Sequence, residues 1–255
     1  MRILVTNDDG IDAQGLEVLI RVARLLSDDV WVVAPHMDNS GASHSLTLKD
    51  PLRVKRLDDR RFALHGTPTD CVIMGVREFI DGAGPDLVLS GINHGQNIAD
   101  DVTYSGTIAG AIEGTMLGIP SIAFSLVTGF HKPGTAFWDT AEALSGPLIQ
   151  DLLAVGWSSS VLMNVNFPDC AVGEVAGRVV TRQGKRDPGL FKIDARHDPR
   201  GRDYYWFDFE RHRSEPLVGT DLWAAAHNYV SITPLHLDLT HYESYERLGD
   251  RLNSL

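Results

Sequence analysis

Over its first two thirds the chain alternates two hydrophobic rhythms. Short runs of almost continuous apolar residues, RILVT (2–6), VWVVA (30–34), DLVLSG (86–91), SIAFSL (121–126) and VLMNVN (161–166), read as buried strands. Between them, QGLEVLIRVARLL (14–26), CVIMGVREFI (71–80), residues 107–117 and a stretch near 137–154 carry apolar residues at helical spacing. The punctuation agrees. Pro35 ends the second strand. Thr67, Pro68 and Asp70 form a capping-box start for the helix over 71–80, and Gly118 and Pro120 close the helix over 107–117. Strands separated by helices predict an α/β fold: a mostly parallel sheet, right-handed crossovers and helices on both faces.

After about residue 183 the rhythm fades. Residues 184–216 are polar with scattered aromatics and few aliphatic runs, which is poor core material. The segment reads as an arm or hairpin that projects from the domain and contacts another subunit; a surface loop is the other reading. YVSITPLHL (229–237) returns to strand, and residues 241–254 close the chain as a helix. The expected organisation is a core over 1–183, the arm over 184–216, and a return strand and C-terminal helix over 217–255.

Composition narrows the function. A chain of 255 residues can bury a large core. Its net charge of -11 does not invite a nucleic-acid polymer and repels anionic small molecules, so an anionic substrate would need local positive charge. Cys71 and Cys170 stand in no metal-ligand or disulfide spacing. No apolar run has the length of a membrane span and no leader is visible, so the expected location is the cytoplasm, away from membranes.

Candidate chemistry gathers where strands end. LVTND runs an apolar strand into two adjacent carboxylates, Asp8 and Asp9, followed by Gly10. Neighbouring side chains of a regular strand point to opposite faces, so the pair converges only if the backbone turns, and Gly10 permits that. Two close carboxylates resist joint ionisation unless a cation neutralises them, and oxygen ligands suit a hard divalent metal. By itself the pair also reads as one helix-capping and one solvated aspartate. SGINHGQN (90–97) leaves a second strand with Ser90, Asn93 and Asn97 as neutral oxygen or amide groups. Ser105, the Gly106 amide and Thr107 then start a helix whose first turns are small, a cradle suited to an anion. Alone, that stretch reads as an ordinary serine N-cap. In the loop DNSGAS after strand two, Ser40 is a further candidate for the same metal. A carboxylate pair and an anion cradle on one sheet edge together point to metal-assisted phosphate-ester chemistry.

TNDDG, the NSGAS loop, HGTPTDC, SGIN, the stretch from Asp100 to Gly114 and the late YVSITPLH, in that order from residue 2 to about 240, resemble the SurE stationary-phase survival family of 5'/3'-nucleotidases. The resemblance weakens over 184–216 and in the final helix. It implies a Rossmann-like domain with a smaller C-terminal part for dimerisation or tetramerisation. It also implies metal-dependent hydrolysis of nucleoside monophosphates, and leaves short polyphosphate open as a second substrate. The implied ligands of one divalent cation per subunit, Mg or Mn, are Asp8, Asp9, Ser40 and Asn93, with Asp8 and Asp9 catalytic. The implied phosphate contacts are Asn97, Ser105, Gly106 and Thr107. His44, His65, His94 and His236 lie near motifs, without an assigned role.

Other classes fit less well. A phosphoaspartate phosphatase needs an aspartate two places after its nucleophile, but Gly10 follows Asp8 and Asp9. A Mg-binding receiver-like signalling module would share the acid pair. It needs an aspartate where Ser90 and Asn93 stand and a lysine after the fifth strand, where residues 127–132 offer only Lys132. A dinucleotide-binding oxidoreductase would need a glycine-rich turn after strand one, and none is there.

Overall fold

The chain enters through β1 (Arg2–Thr6), crosses by α1 (Gln14–Leu26) to β2 (Asp29–Pro35), and adds β3 (Arg53–Arg56) and β4 (Arg61–His65) beyond it. It then runs through α2 (Pro68–Met74) to β5 (Leu87–His94), α3 (Gly106–Met116), β6 (Ser121–Leu126), α4 (Trp138–Val155), β7 (Val161–Phe167) and β8 (Gly177–Val180). After a separate pair, β9 (Phe191–His197) and β10 (Asp203–Phe209), come α5 (Asp221–Ala226), β11 (Tyr229–His236) and α6 (Tyr242–Leu252). This computed structural model describes residues 1–129, 136–186, 191–209 and 215–253.

Nine strands form one sheet in the order β3-β4-β2-β1-β5-β6-β7-β11-β8. From β1 the chain first builds outward through β2, then returns to the other side of β1 with β5. The gap between β1 and β5 is therefore the topological switch point, where open α/β sheets bind ligands at the strand carboxyl ends. β1 explains why both faces must be covered. Ile3 and Val5 pack in the core under α1 and α4, while Leu4 faces the opposite core with Val33, Leu64, Cys71 and Val72 beside α2. On that second face Gly110 and Gly114 bring α3 against Ser90 and Val88 of β5.

The apolar runs are strands as expected, with boundaries shifted by up to three residues. Three details sharpen this reading. The helix over 71–80 starts at Pro68 behind the Thr67–Asp70 capping box, as those residues predict, and turns into a π-helical turn over Gly75–Phe79. The sheet is mostly parallel, as expected, with β11 antiparallel to β7 and β3 antiparallel to β4. β3 and β4 form an edge hairpin, and β11 re-enters after the β9–β10 excursion instead of through a single crossover helix. Finally, β3, β4, β8 and α5 were not anticipated: the apolar runs in β4 (RFALH) and α5 (DLWAAA) are short, and RVKR of β3 is exposed throughout, the charged edge that discourages pairing with another sheet.

Within 184–216, β9 and β10 pair antiparallel as a ribbon outside the main sheet. Ile193, Tyr205 and Trp206 on it are exposed. Residues 187–190 and 210–214 of that segment, Lys132, and residue 254 of the expected last helix lie outside the described residues. Among the described residues no helix is long and apolar enough to cross a membrane. Cys71 and Cys170 are free and buried.

Candidate active site

Past Thr6 the backbone leaves β1 and turns. The Asn7 side-chain amide donates to the Gly10 carbonyl at 2.8 Å, and Gly10 takes φ +105°, a conformation that L side chains rarely adopt. The turn gives the two aspartates different surroundings. Asp8 is only 4% exposed, wedged against the start of α3. Thr107 Oγ1 donates to its Oδ1 at 2.5 Å, and its backbone carbonyl accepts from Asn39 N at 2.8 Å. Asp9 is half-buried and its Oδ2 accepts the backbone N–H of His94 at 3.1 Å. One carboxylate is thus fixed by α3 and the other by the end of β5.

Gly106 makes this approach possible. A Cβ there would lie 2.7 Å from Asp8 Cβ and 3.0 Å from its Oδ2. Ser105 caps α3, its hydroxyl accepting from Ile108 N at 3.0 Å, and so keeps its own proton to donate. The Gly106 and Thr107 amides have no hydrogen-bond partner among the described residues. Thr107 gives its one hydroxyl proton to Asp8. The donors open to an anion are therefore the two amides and Ser105 O–H.

The electrostatics call for a positive charge. Burial pushes the Asp8 carboxyl up to about 7, with the charges of Asp9 and Asp38 adding to it against the lowering bond from Thr107. Burial also raises Asp9, and there the Asp38 charge adds while the His94 N–H opposes. Asp38, in the loop after β2, is the residue the sequence reading passed over, although it stands two places before Ser40. Ser40 donates to Asp38 Oδ1 at 2.6 Å from its hydroxyl and 2.8 Å from its N–H. Asn93 donates its amide to the Gly95 carbonyl at 2.8 Å, which leaves its Oδ1 open to accept a cation. Among the described residues no group of three His, Cys, Asp or Glu side chains could hold a metal. Two carboxylates plus neutral oxygens nevertheless suit Mg, which keeps several waters and takes few protein ligands. A buried carboxylate without a cationic neighbour among its perturbing groups fits such an ion.

Asn97 is placed differently from the other predicted contacts. Its amide donates to Ser125 Oγ at 2.8 Å, and its carbonyl accepts from the amides of Asn164 and Asn166 at 2.8 and 3.1 Å. It anchors the stretch leading to Ser105 from within the polar ends of β6 and β7. Two features hold the same region from outside. Ser43 N–H donates to Tyr104 O at 3.1 Å, and Ser43 Oγ to Thr103 O at 2.8 Å, docking the loop after β2. Asp100 accepts Arg186 N at 2.7 Å, and the Arg186 guanidinium forks onto Asp101. Asn164 and Asn166 looked like ordinary strand residues; their asparagine alternation inside an apolar run was the signal.

Residues 3–189 match the family model described as Survival protein SurE. A protein described as 5'-nucleotidase SurE from Parvibaculum lavamentivorans is 55% identical over 255 residues, covering 100% of this chain and 92% of its own. One so described from Caulobacter vibrioides is 57% identical over 249 residues, 97% of this chain and 95% of its own. The crystal structure of SurE protein from Aquifex aeolicus superposes with a TM-score of 0.82 at 39% identity, over 98% of this chain and 99% of that one. Matched by one family model across its α/β core and by relatives end to end, the chain belongs to the SurE survival-protein family.

Proposed function

We propose that this chain is a divalent-cation-dependent 5'-nucleotidase that hydrolyses nucleoside monophosphates to nucleoside and phosphate. The observation that carries the reading is a buried carboxylate, raised to about 7, held by Thr107 against an open helix N-terminus. A carboxylate pair and an anion cradle share one point, and the relatives are named for that activity. Asp8, Asp9, Ser40 and Asn93 would hold the cation. When bound, Mg or Mn supplies Lewis acidity and the positive charge that a surface of -11 lacks.

The chain's own groups do the rest. The Gly106 and Thr107 amides and the Ser105 hydroxyl take the phosphate oxygens on which charge spreads in the transition state. Thr107 and the His94 amide keep the two carboxylates in register. Asp9 is more exposed than Asp8, lines the adjoining cleft, and is the better placed to accept the proton of the attacking water. The water oxygen bonds to phosphorus as the phosphorus–ribose oxygen bond breaks, and the departing oxygen takes a proton from solvent to give the nucleoside hydroxyl. Asn97, with Asn164 and Asn166, holds the loop that carries the cradle.

The cradle recognises a terminal phosphate, so 3'-monophosphates and short polyphosphate belong among its substrates. Free buried cysteines agree with a cytoplasmic setting. A two-stranded ribbon is marginal alone in water, and the exposed Ile193, Tyr205 and Trp206 support its use as a contact between copies in a homodimer or homotetramer.

Phosphate release from 5'- and 3'-monophosphates and polyphosphate, in chelator and then with Mg or Mn, tests the reading. Release that needs a cation is expected. None with either cation would leave a cation site without hydrolase activity. Gly106→Ala probes the geometry: its Cβ must push Asp8 aside, and a shift of that size is expected to lower kcat/KM by about 10²-fold. Wild-type kinetics in that variant would show that the contact is slack.

A further inference from the structure

Beside Asp9 the surface opens into a cleft of about 520 Å³, within the roughly 300–1,000 Å³ usual for small-molecule sites. Its lining joins the carboxylates of Asp9 and Asp38 to the rings of His94 and Trp138, with Gln14 and Gly15 at the start of α1. Phosphate chemistry accounts for the carboxylates and leaves the two rings unused.

Both rings are tied to the acid pair. His94 supplies the backbone N–H that holds Asp9, so its ring leaves the chain one residue from the Asn93 ligand position. Trp138 opens α4 and is only partly buried, packed on the main core. Its Cη2 and Cζ3 lie 2.9 Å from where a Cβ on Gly15 would sit, so α1 backs the indole closely. The two ring centroids are 5.9 Å apart and tilted by 36°. A tilt of that size is not a closed stack, and the cleft runs past both rings. An indole fixed from behind and open toward a carboxylate site is a surface for a flat, apolar-faced ligand.

We infer that Trp138, flanked by His94, is the platform on which the nucleobase of the substrate stacks while its phosphate occupies the Asp8–Asp9 site. This rests on the nucleotidase reading and adds to it the part of the substrate that the acid pair does not see. Stacking uses the π-face, which every base has, and reads no hydrogen-bond edge. The platform therefore distinguishes nucleotides from sugar phosphates strongly, and one base from another weakly.

The test is the ratio of kcat/KM for adenosine 5'-monophosphate to that for ribose 5-phosphate, the same phosphate ester without a base. It is measured with the cation-loaded full chain, for wild type, Trp138→Leu and His94→Ala. Leucine keeps apolar bulk against Gly15 but has no π-face. The expected result is a wild-type ratio well above one that falls about 5- to 100-fold in Trp138→Leu, with a smaller fall in His94→Ala. Should Trp138→Leu fail to fold, the exposed His94 still decides, since its substitution leaves the backbone N–H to Asp9 in place. A wild-type ratio near one, or a ratio unchanged in the folded variants, overturns the platform and leaves the nucleotidase standing. Wild type inactive on both substrates overturns the two together.

Discussion

Asp8→Asn is expected to raise the melting temperature of the cation-free protein at pH 8 while lowering phosphate release by about 10²–10³-fold or more. Both effects come from one buried charge. In the folded chain the Asp8 carboxyl titrates near 7, against 3.8 for the unperturbed group, chiefly because burial strips it of water. Its folded pKa lies above the unfolded one. Between the two values the native state binds more protons than the unfolded state, so stability falls as pH rises from about 4 to about 7. Above 7 the full cost is present, on the order of 4 kcal/mol as an upper bound for a shift of about three units at 1.36 kcal/mol each. Asparagine carries no charge and so escapes it, while its Oδ1 still accepts from Thr107. At about 2–4 °C per kcal/mol for a chain of this size, the gain at pH 8 is several degrees, and it vanishes below pH 4. Asp9→Asn should lose activity as well and gain less stability, because Asp9 is less buried. Melting curves of both variants across pH 4–8 check this. An Asp8→Asn protein that melts below wild type at pH 8 would mean that the Thr107 bond outweighs the burial of the charge. A site that stores instability in exchange for chemistry is the usual stability–function trade-off.

How much of this was legible in advance divides along physical lines. β1, β5, β6 and β7 are buried on both faces, which writes continuous apolar runs into the sequence, and all were found. β3 and β8 are edge strands, whose job is to be charged or short, so hydrophobicity could not reveal them. Asp8, Asp9 and the Ser105–Thr107 turn each have an ordinary reading alone, and stood out only because both fall at strand ends of one α/β sheet. Which of these groups touch was not visible. The Thr107 hydroxyl bonds Asp8, which leaves only its amide for phosphate. Asn97 was expected to meet phosphate and instead stitches the cradle to β6 and β7. Asp38 was missed because a loop carboxylate is unremarkable until the loop folds back, here through Asn39 N–H on the Asp8 carbonyl. Long-range pairings of this kind, across 30 to 100 residues of sequence, leave no local periodicity to read.

Mg or Mn is expected to stabilise the protein, and to do so far more at pH 8 than at pH 5. A cation takes the ionised carboxylate, so binding to a site whose Asp8 titrates near 7 must first release that proton. Each unit of pH below 7 weakens the apparent affinity about tenfold, giving roughly a 100-fold deficit at pH 5 and almost none at pH 8. Because stabilisation by a ligand follows RT ln(1 + [L]/Kd), that deficit amounts to about 2.7 kcal/mol of lost stabilisation at near-saturating cation. The thermal shift should therefore climb between pH 5 and 7 and level off above it, and chelator should remove the shift and the phosphate release together. Adventitious binding predicts something else. The excess of surface carboxylates behind the net charge of -11 is already ionised at pH 5, so a cation held there would give a shift that is small and flat across the range. Asp8→Asn separates the two cases within one experiment. It should erase the pH-dependent rise, and a rise that survives the substitution would place the cation away from the acid pair.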